Sequence, residues 1–514
     1  MSTQFNPLDI PPGVVALATK KMRSSNWSEV NAIRWIEGLL QPIGGQQRIS
    51  YTFASRCRAI HPWFDLKGNY YVAYLCEQNV YVDVNGALIE ITPVGGLAQP
   101  SSPPDGYGMG YYGMGAYGAP PRPGATMQNS LSVMPDVYSI DNFGALLLVM
   151  TSADERLLWW DPAAYLANTS TVLTQVTNAP PGRCFVVTSD RFVMIFGMVN
   201  DASGSARRFG WCDQEDLTDW DFSSVTNQAG FFDLEPASPI VTAIAGRAGW
   251  VVFFTEKKAY VSRFLGLPYV YDYEELADDC TPWSPMSIAT TSSLIVWMSQ
   301  QGAFSFDGTS VMPVQCPVRT WIVNDVDPFS TRWQAAACHV GMFSEFWWMF
   351  PQNGQPYNTR AVVYNYKEGW WSQMAAMPRS AGFTSTYASL PIFADGTQPY
   401  QHEIGAIYNA CALPYADTFD LNLQSGGKLT TFKQMIPDIE GDTAGLEYQL
   451  FYRNSRSTGA PELASPPVNI RSDGYVDFRT TGRDMRLRFA VKGPQVNPFT
   501  LGQHLVDVVP RGDR

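Results

Sequence analysis

Between Arg207 and Leu276 apolar residues come in short runs broken by tight polar turns. A strand ends at Trp211, an acidic turn covers Asp213 to Asp219, and Trp220 leads into a second polar turn. Trp250 to Phe254 predicts an apolar strand, Thr255 to Lys258 its turn, Ala259 to Phe264 the returning strand, and Tyr269 to Tyr273 a third. No stripe at helical spacing competes with this reading, so the stretch is a meander of aromatic strands.

The same unit recurs along the chain. Asn69 to Leu75 and Asn79 to Asp83 read as strands, and Asn85-Gly86 as a hairpin turn into Ala87 to Thr92. An aromatic strand followed by Asp or Asn returns at Asp161, Asp213, Asp307 and Asn365. With Tyr260 as the equivalent position in the opening stretch, these marks lie 47 to 58 residues apart. A period near 50 with four short strands per unit predicts a β-propeller. One interval, from Asp83 to Asp161, is 78 residues, and it contains the Gly-, Tyr- and Pro-rich run 98–125. Removing those 28 residues restores the period. Such a run cannot build a core and reads as an insertion. The predicted fold is therefore all-β. A propeller at 59–410 has about six blades, or seven if the strand-turn unit at 382–410 closes the ring. Residues 1–58 read as an N-terminal arm, with either a short helix over Ser25 to Leu40 or irregular strands. After Cys411 the alternation continues with longer polar turns. Arg483, Arg486 and Arg488 alternate with Met485, Leu487 and Phe489, which predicts a β-sandwich-like domain at 411–514.

Composition narrows the function classes. Of the 514 residues 45% are hydrophobic and 13% aromatic, with 42 Gly and 37 Pro, as many strands and turns require. Only 16% are charged, which suits a surface partly covered in an assembly. The net charge of -12 argues against general affinity for nucleic acid, which needs Lys and Arg to displace counterions. Eight cysteines stand singly with no CxxC pair, and the four His are not at ligand spacing, so neither a zinc site nor a disulfide framework is expected. The N-terminus lacks the pattern of a signal peptide, and no apolar run has the length of a membrane span. No cofactor is expected.

Several segments, in their order along the chain, resemble bacteriophage tail proteins of the nozzle and packaged-DNA-stabilisation type. They are RWIEGLLQPIGG, GWCDQEDLTDWDFSSVTNQAGFFDL, FFTEKKAYVSRFLGLPYVYDYE, MSQQGAFSFDG, VVYNYKEGWWSQ and GRDMRLRF. The resemblance covers most of the chain, and the insertion at 98–125 departs from it. It implies a propeller protein of a short tail, made in a bacterial cytoplasm and built into the virion. It also implies a homohexameric ring below the portal and adaptor, with genome DNA passing without sequence-specific contact.

The candidate chemistry is sparse. Carboxylates cluster at Asp213, Glu215, Asp216 and Asp219, and again at Glu274, Glu275, Asp278 and Asp279. Paired carboxylates are what a glycosidase needs, but acidic loops are ordinarily solvated turns, and neither cluster has Ca²⁺-loop spacing. No nucleophile-elbow, zinc-protease or phosphate-loop motif occurs, so no catalytic residue is assigned and no enzyme is expected. Arg511-Gly512-Asp513 and the sequons at Asn26 and Asn168 read as chance. Tyr107, Tyr111, Tyr112 and Tyr117 make the insertion a candidate docking loop, because Tyr offers contact area at low entropy cost; the alternative is a flexible low-complexity linker. The alternative function is a carbohydrate-binding or carbohydrate-cleaving propeller that stacks sugars on exposed aromatics.

Overall fold

The computed structural model describes residues 5–16, 25–100, 104–105, 126–127, 134–168, 171–199, 205–235, 238–246, 249–383, 390–408, 411–421, 423, 428–455, 461–493 and 495–512. The protein is a β-propeller. Seven four-stranded antiparallel sheets follow one another, here numbered as blades 1 to 7. Six are built from consecutive strands, over 57–90, 138–175, 184–233, 240–278, 288–314 and 336–374. Blade 7 takes three strands from 381–402 and its outermost strand from Gln46–Arg48.

Seven hydrophobic clusters fill the seven gaps between blades, which makes the ring closed. This arrangement explains the sequence pattern. In Trp250–Thr255, Val251 and Phe253 enter the gap toward blade 3, while Val252 and Phe254 enter the gap toward blade 5. A strand covered on both faces needs apolar side chains at every position, so the run is continuous rather than alternating.

The recurring Asp or Asn also has a structural role. It ends the third strand of a blade, and its side chain accepts backbone N–H groups of the turn that follows. Asp83 Oδ1 accepts from Gly86, Asp161 Oδ1 from Ala163, and Asp213 Oδ1 from Gln228. Asp307 Oδ1 accepts from Thr309 and Ser310, and Asn365 Oδ1 from Lys367 and Glu368. Short polar side chains that bond their own backbone stabilise such turns. In blade 1 the turn itself is Asn85-Gly86, both left-handed (φ 54° and 86°), as a two-residue hairpin demands. Tyr260 is not equivalent to these positions. It lies in the middle of the third strand of blade 4, Lys258–Phe264, and the turn comes at 265–270.

The arm at 1–58 contains strands where the sequence left helix and strand open: Asn6–Leu8, Trp27–Asn31, Ile33–Ile36 and Leu39–Pro42. They join the C-terminal part. Asn6–Leu8 pairs with His504–Gly512, Trp27–Asn31 with Tyr415–Thr418, and Leu39–Pro42 touches Phe499–Leu501. In the strand Asp484–Val491, Met485, Leu487, Phe489 and Val491 are buried, while Arg486 and Arg488 reach Asp417 and Glu462 on the other face. One apolar cluster runs without a break from blades 5 and 6 through Trp27, Val30 and Ile33 to Phe432, Leu450 and Phe489. The C-terminal domain is thus anchored on the propeller rim at blades 5 and 6 by the N-terminal arm.

Candidate functional site

Antiparallel strands put alternate turns at opposite ends of a blade. The first and third turns of every blade form one face, here the turn face. The second turns and the inter-blade connections form the other, the connection face. The first strands of the blades surround the axis, where propellers usually carry their chemistry.

On the connection face the axis is crossed by the chain itself. Met286, in the connection between blades 4 and 5, packs against clusters of blades 1 and 2, of blades 3 and 4, and of blades 6 and 7. The helix Pro328–Gln334 leads into blade 6 and reaches two distant blades. Arg332 lies 3.6 Å from Glu256 of blade 4, and Arg58 of blade 1 donates to the Gln334 side chain and the Trp333 carbonyl. Arg183 Nε likewise donates to the Val241 carbonyl at 3.0 Å, and burial lowers its pKa. Arg58 and Arg183 thus satisfy carbonyls at the entries to blades 6 and 4, and the three guanidinium groups tie the connections together.

Toward the turn face the inner strands carry a small polar group. His61 Nε2 donates to Asn142 Oδ1 at 2.9 Å, and Asn142 Nδ2 donates to the Gly144 carbonyl at 2.9 Å. Asp141 Oδ1 is 3.8 Å from His61 Nε2. About 35% of the Asp141 side chain remains accessible, yet burial raises its pKa, with His61 pulling the other way. Among the described residues of the seven inner strands Asp141 is the single carboxylate. Sugar-bond hydrolysis of the usual kind needs two.

Two further carboxylates lie beside the first turn of blade 6, but Arg34 occupies both. Its guanidinium makes a bidentate pair with Glu345 (2.9 and 3.0 Å) and a third bond to Glu403 (2.7 Å). Glu345 also accepts from Trp347 Nε1, and Glu403 from the Gly44 N–H. Burial raises the Glu345 pKa and Arg34 lowers it. For Arg34 burial works against the charge, and the two carboxylates outweigh it and raise the pKa. This triad pins the arm to blades 6 and 7.

The acidic clusters predicted from sequence are turns and strand edges. Asp216 Oδ1 accepts from the Thr218 N–H and hydroxyl, Asp219 Oδ1 from the Asp221 N–H and Asn227, and Glu215 pairs with Arg191. Those bonds hold Asp216 below the usual carboxylate range. Glu274 pairs with Arg263, and Glu275 and Asp278 with Lys258, along the outer strand of blade 4. No group of three or more His, Cys, Asp or Glu side chains among the described residues is placed to hold a metal ion. All eight cysteines are free, seven of them buried. Tyr107, Tyr111, Tyr112 and Tyr117 lie outside the described residues. Their segment leaves blade 1 after Glu90 and returns at Tyr138, so both its ends lie on the connection face. The closure of blade 7 by residues 46–48, and the triad on Arg34, were missed from sequence. Partners some 350 residues apart leave no local signal.

No family model matches the chain, and no curated protein does. Solved structures with a similar strand arrangement include Hsv2 from Kluyvelomyces marxianus: 8% identity, TM-score 0.31, 59% of this chain and 92% of that one. YCF48 from Cyanidioschyzon merolae has 9% identity and a TM-score of 0.36, covering 70% and 98%. An exo-β-1,3-galactanase from Phanerochaete chrysosporium has 10% identity and a TM-score of 0.24, covering 73% and 96%.

Proposed function

We propose that this protein is a non-catalytic, ring-forming component of a bacteriophage tail. It would line the DNA channel, help to retain packaged DNA and let it pass at ejection. The observation that carries the reading is the state of the propeller axis. Met286 and the helix Pro328–Gln334 cross it on one face, and among the described residues its inner strands hold one carboxylate. An axis blocked inside one chain leaves the conduit to be formed between copies around a ring. The order of the tail-protein segments along the chain supports the same class. The acidic surface suits a channel wall, because it repels the phosphate backbone and DNA slides past without being trapped.

Mass photometry of the purified chain tests this reading. A closed ring of 57.1 kDa copies, six by the family resemblance, is the expected result. A strictly monomeric protein that shifts on a glycan array would favour the carbohydrate-binding alternative. Polysaccharide turnover that disappears in Asp141→Ala would favour a hydrolase.

A further inference from the structure

Five of the first six blades end their third strand in an Asp or Asn that caps the turn. Blade 4 does not. Its turn reads Leu265-Gly266-Leu267-Pro268-Tyr269-Val270 and contains no carboxylate or amide side chain. Backbone bonds alone hold it, from Leu265 N to the Val270 carbonyl (2.8 Å) and from Tyr269 N to the Gly266 carbonyl (3.1 Å). Leu267 is 74% exposed and Tyr269 75%, and Leu265 is also exposed. An ordered turn that displays three apolar side chains to water is costly unless something covers them.

The turn face of blades 1 to 3 has the same character. Leu66 (93% exposed) projects from blade 1, Leu166 from blade 2 and Val225 (97% exposed) from blade 3. Acidic groups surround them. The described first and third turns of blades 1 to 4 carry Asp65, Asp161, Asp190 and five more carboxylates between 213 and 221, against Lys67 and Arg191. The complement of such a surface is cationic, and the chain supplies one. Residues 411–514 hold twelve Lys and Arg and twelve Asp and Glu, so the whole acidic excess lies in residues 1–410. Within the C-terminal domain Lys428, Lys433, Arg479 and Arg511 gather on or beside three adjacent strands, His504–Gly512, Leu429–Ile436 and Val476–Gly482. Two carboxylates lie on the same strands: Asp507, nearest Lys433, is buried, and Asp477 is taken up by Gln434 and Arg471. Arg479 sits exposed in a left-handed bulge of the edge strand.

We propose that the apolar turn 265–270 and the acidic turn face around it dock on the cationic C-terminal sheet of a second copy of this chain. This rests on the ring reading and gives it an interface. The two patches are different surfaces of one chain, so the contact is head-to-tail, the kind that closes rings when the rotation per copy allows. Leu267 and Tyr269 supply the desolvated centre, and the charges set the register and encounter rate.

The test uses two variants of the full chain in mass photometry. Leu267→Asp/Tyr269→Asp removes the head and Lys428→Glu/Arg479→Asp the tail. Each is expected to be monomeric with an unchanged melting temperature, needing about tenfold or more higher concentration to assemble. An equimolar mixture pairs the one intact head with the one intact tail, and is expected to stop at dimers. If the charged head variant misfolds, Leu267→Ser/Tyr269→Ser takes its place. Wild-type rings that persist in the head variant overturn the interface and leave the ring reading standing. Monomeric variants that form no mixed dimer overturn the head-to-tail pairing. A monomeric wild type overturns the ring and the interface together.

Discussion

At the scale of single residues, Arg34 is the side chain on which most depends. It is 3% exposed and compensates Glu345 and Glu403, themselves nearly inaccessible. Removing one partner of a buried ion group leaves unpaired charge in a dry site, which costs roughly 3–5 kcal/mol. Arg34→Met is therefore expected to lower denaturant stability by about that amount, while the double change Arg34→Met/Glu345→Gln recovers part of it. Equal stability of Arg34→Met and wild type in urea melts would contradict the assignment. His504 gives a pH signature. It is buried against Tyr448, and its Nδ1 accepts from the Asp438 N–H at 3.4 Å. Burial holds its pKa down at about 4, against 6.5 ordinarily. The folded state thus binds the proton less readily than the unfolded chain. The stabilisation is complete above pH 6.5 and is lost as pH falls toward 4, on the order of 3 kcal/mol in all. His504→Gln should flatten that part of the stability–pH curve. An unchanged slope between pH 6.5 and 4 would show that His504 is not the titrating group.

At the scale of elements, what the sequence revealed depended on how local the cause was. The repeat across blades 1 to 6 was legible because their strands are largely apolar on both faces and the third strand of five of the six is followed by a capping Asp or Asn. The unit near 50 residues follows directly from that cap. Blade 4 was misaligned by its uncapped turn, which is also its most exposed apolar element. Blade 7 was read only as a partial unit, because Ala381–Phe383 is short and the outer strand comes from Gln46–Arg48. The polar group on His61, Asp141 and Asn142 was not legible, since neighbouring blades bring it together across 81 residues. Closure by residues 46–48 predicts that a chain starting at Ser50 fails to melt cooperatively, and that residues 1–49 supplied as a separate peptide restore the transition. A truncated chain with the full-length melting curve would mean that the ring closes without that strand. The insertion 98–125 is a different case. Leu97, just before it, lies in the cluster between blades 1 and 2. Deleting 100–123 is expected to leave the melting temperature within a few degrees of wild type while impairing incorporation into tails. Loss of the folded state on deletion would place the segment in the core, and normal incorporation would remove its docking role.

At the scale of the whole molecule, the arm and the C-terminal domain share one continuous apolar cluster with blades 5 and 6 of the propeller. On the proposed reading, the crossed axis and the acidic face tipped with apolar side chains serve assembly into a larger wall. The proposed ring and its interface would be properties of several copies, which is why a single sequence carries them only through resemblance and surface pattern. The most direct test of the central claim is electron microscopy of purified phage particles labelled with antibody against this protein. The account predicts label at the tail of every intact particle, at a fixed distance from the capsid vertex. Particles that lack the protein and remain infectious would contradict it.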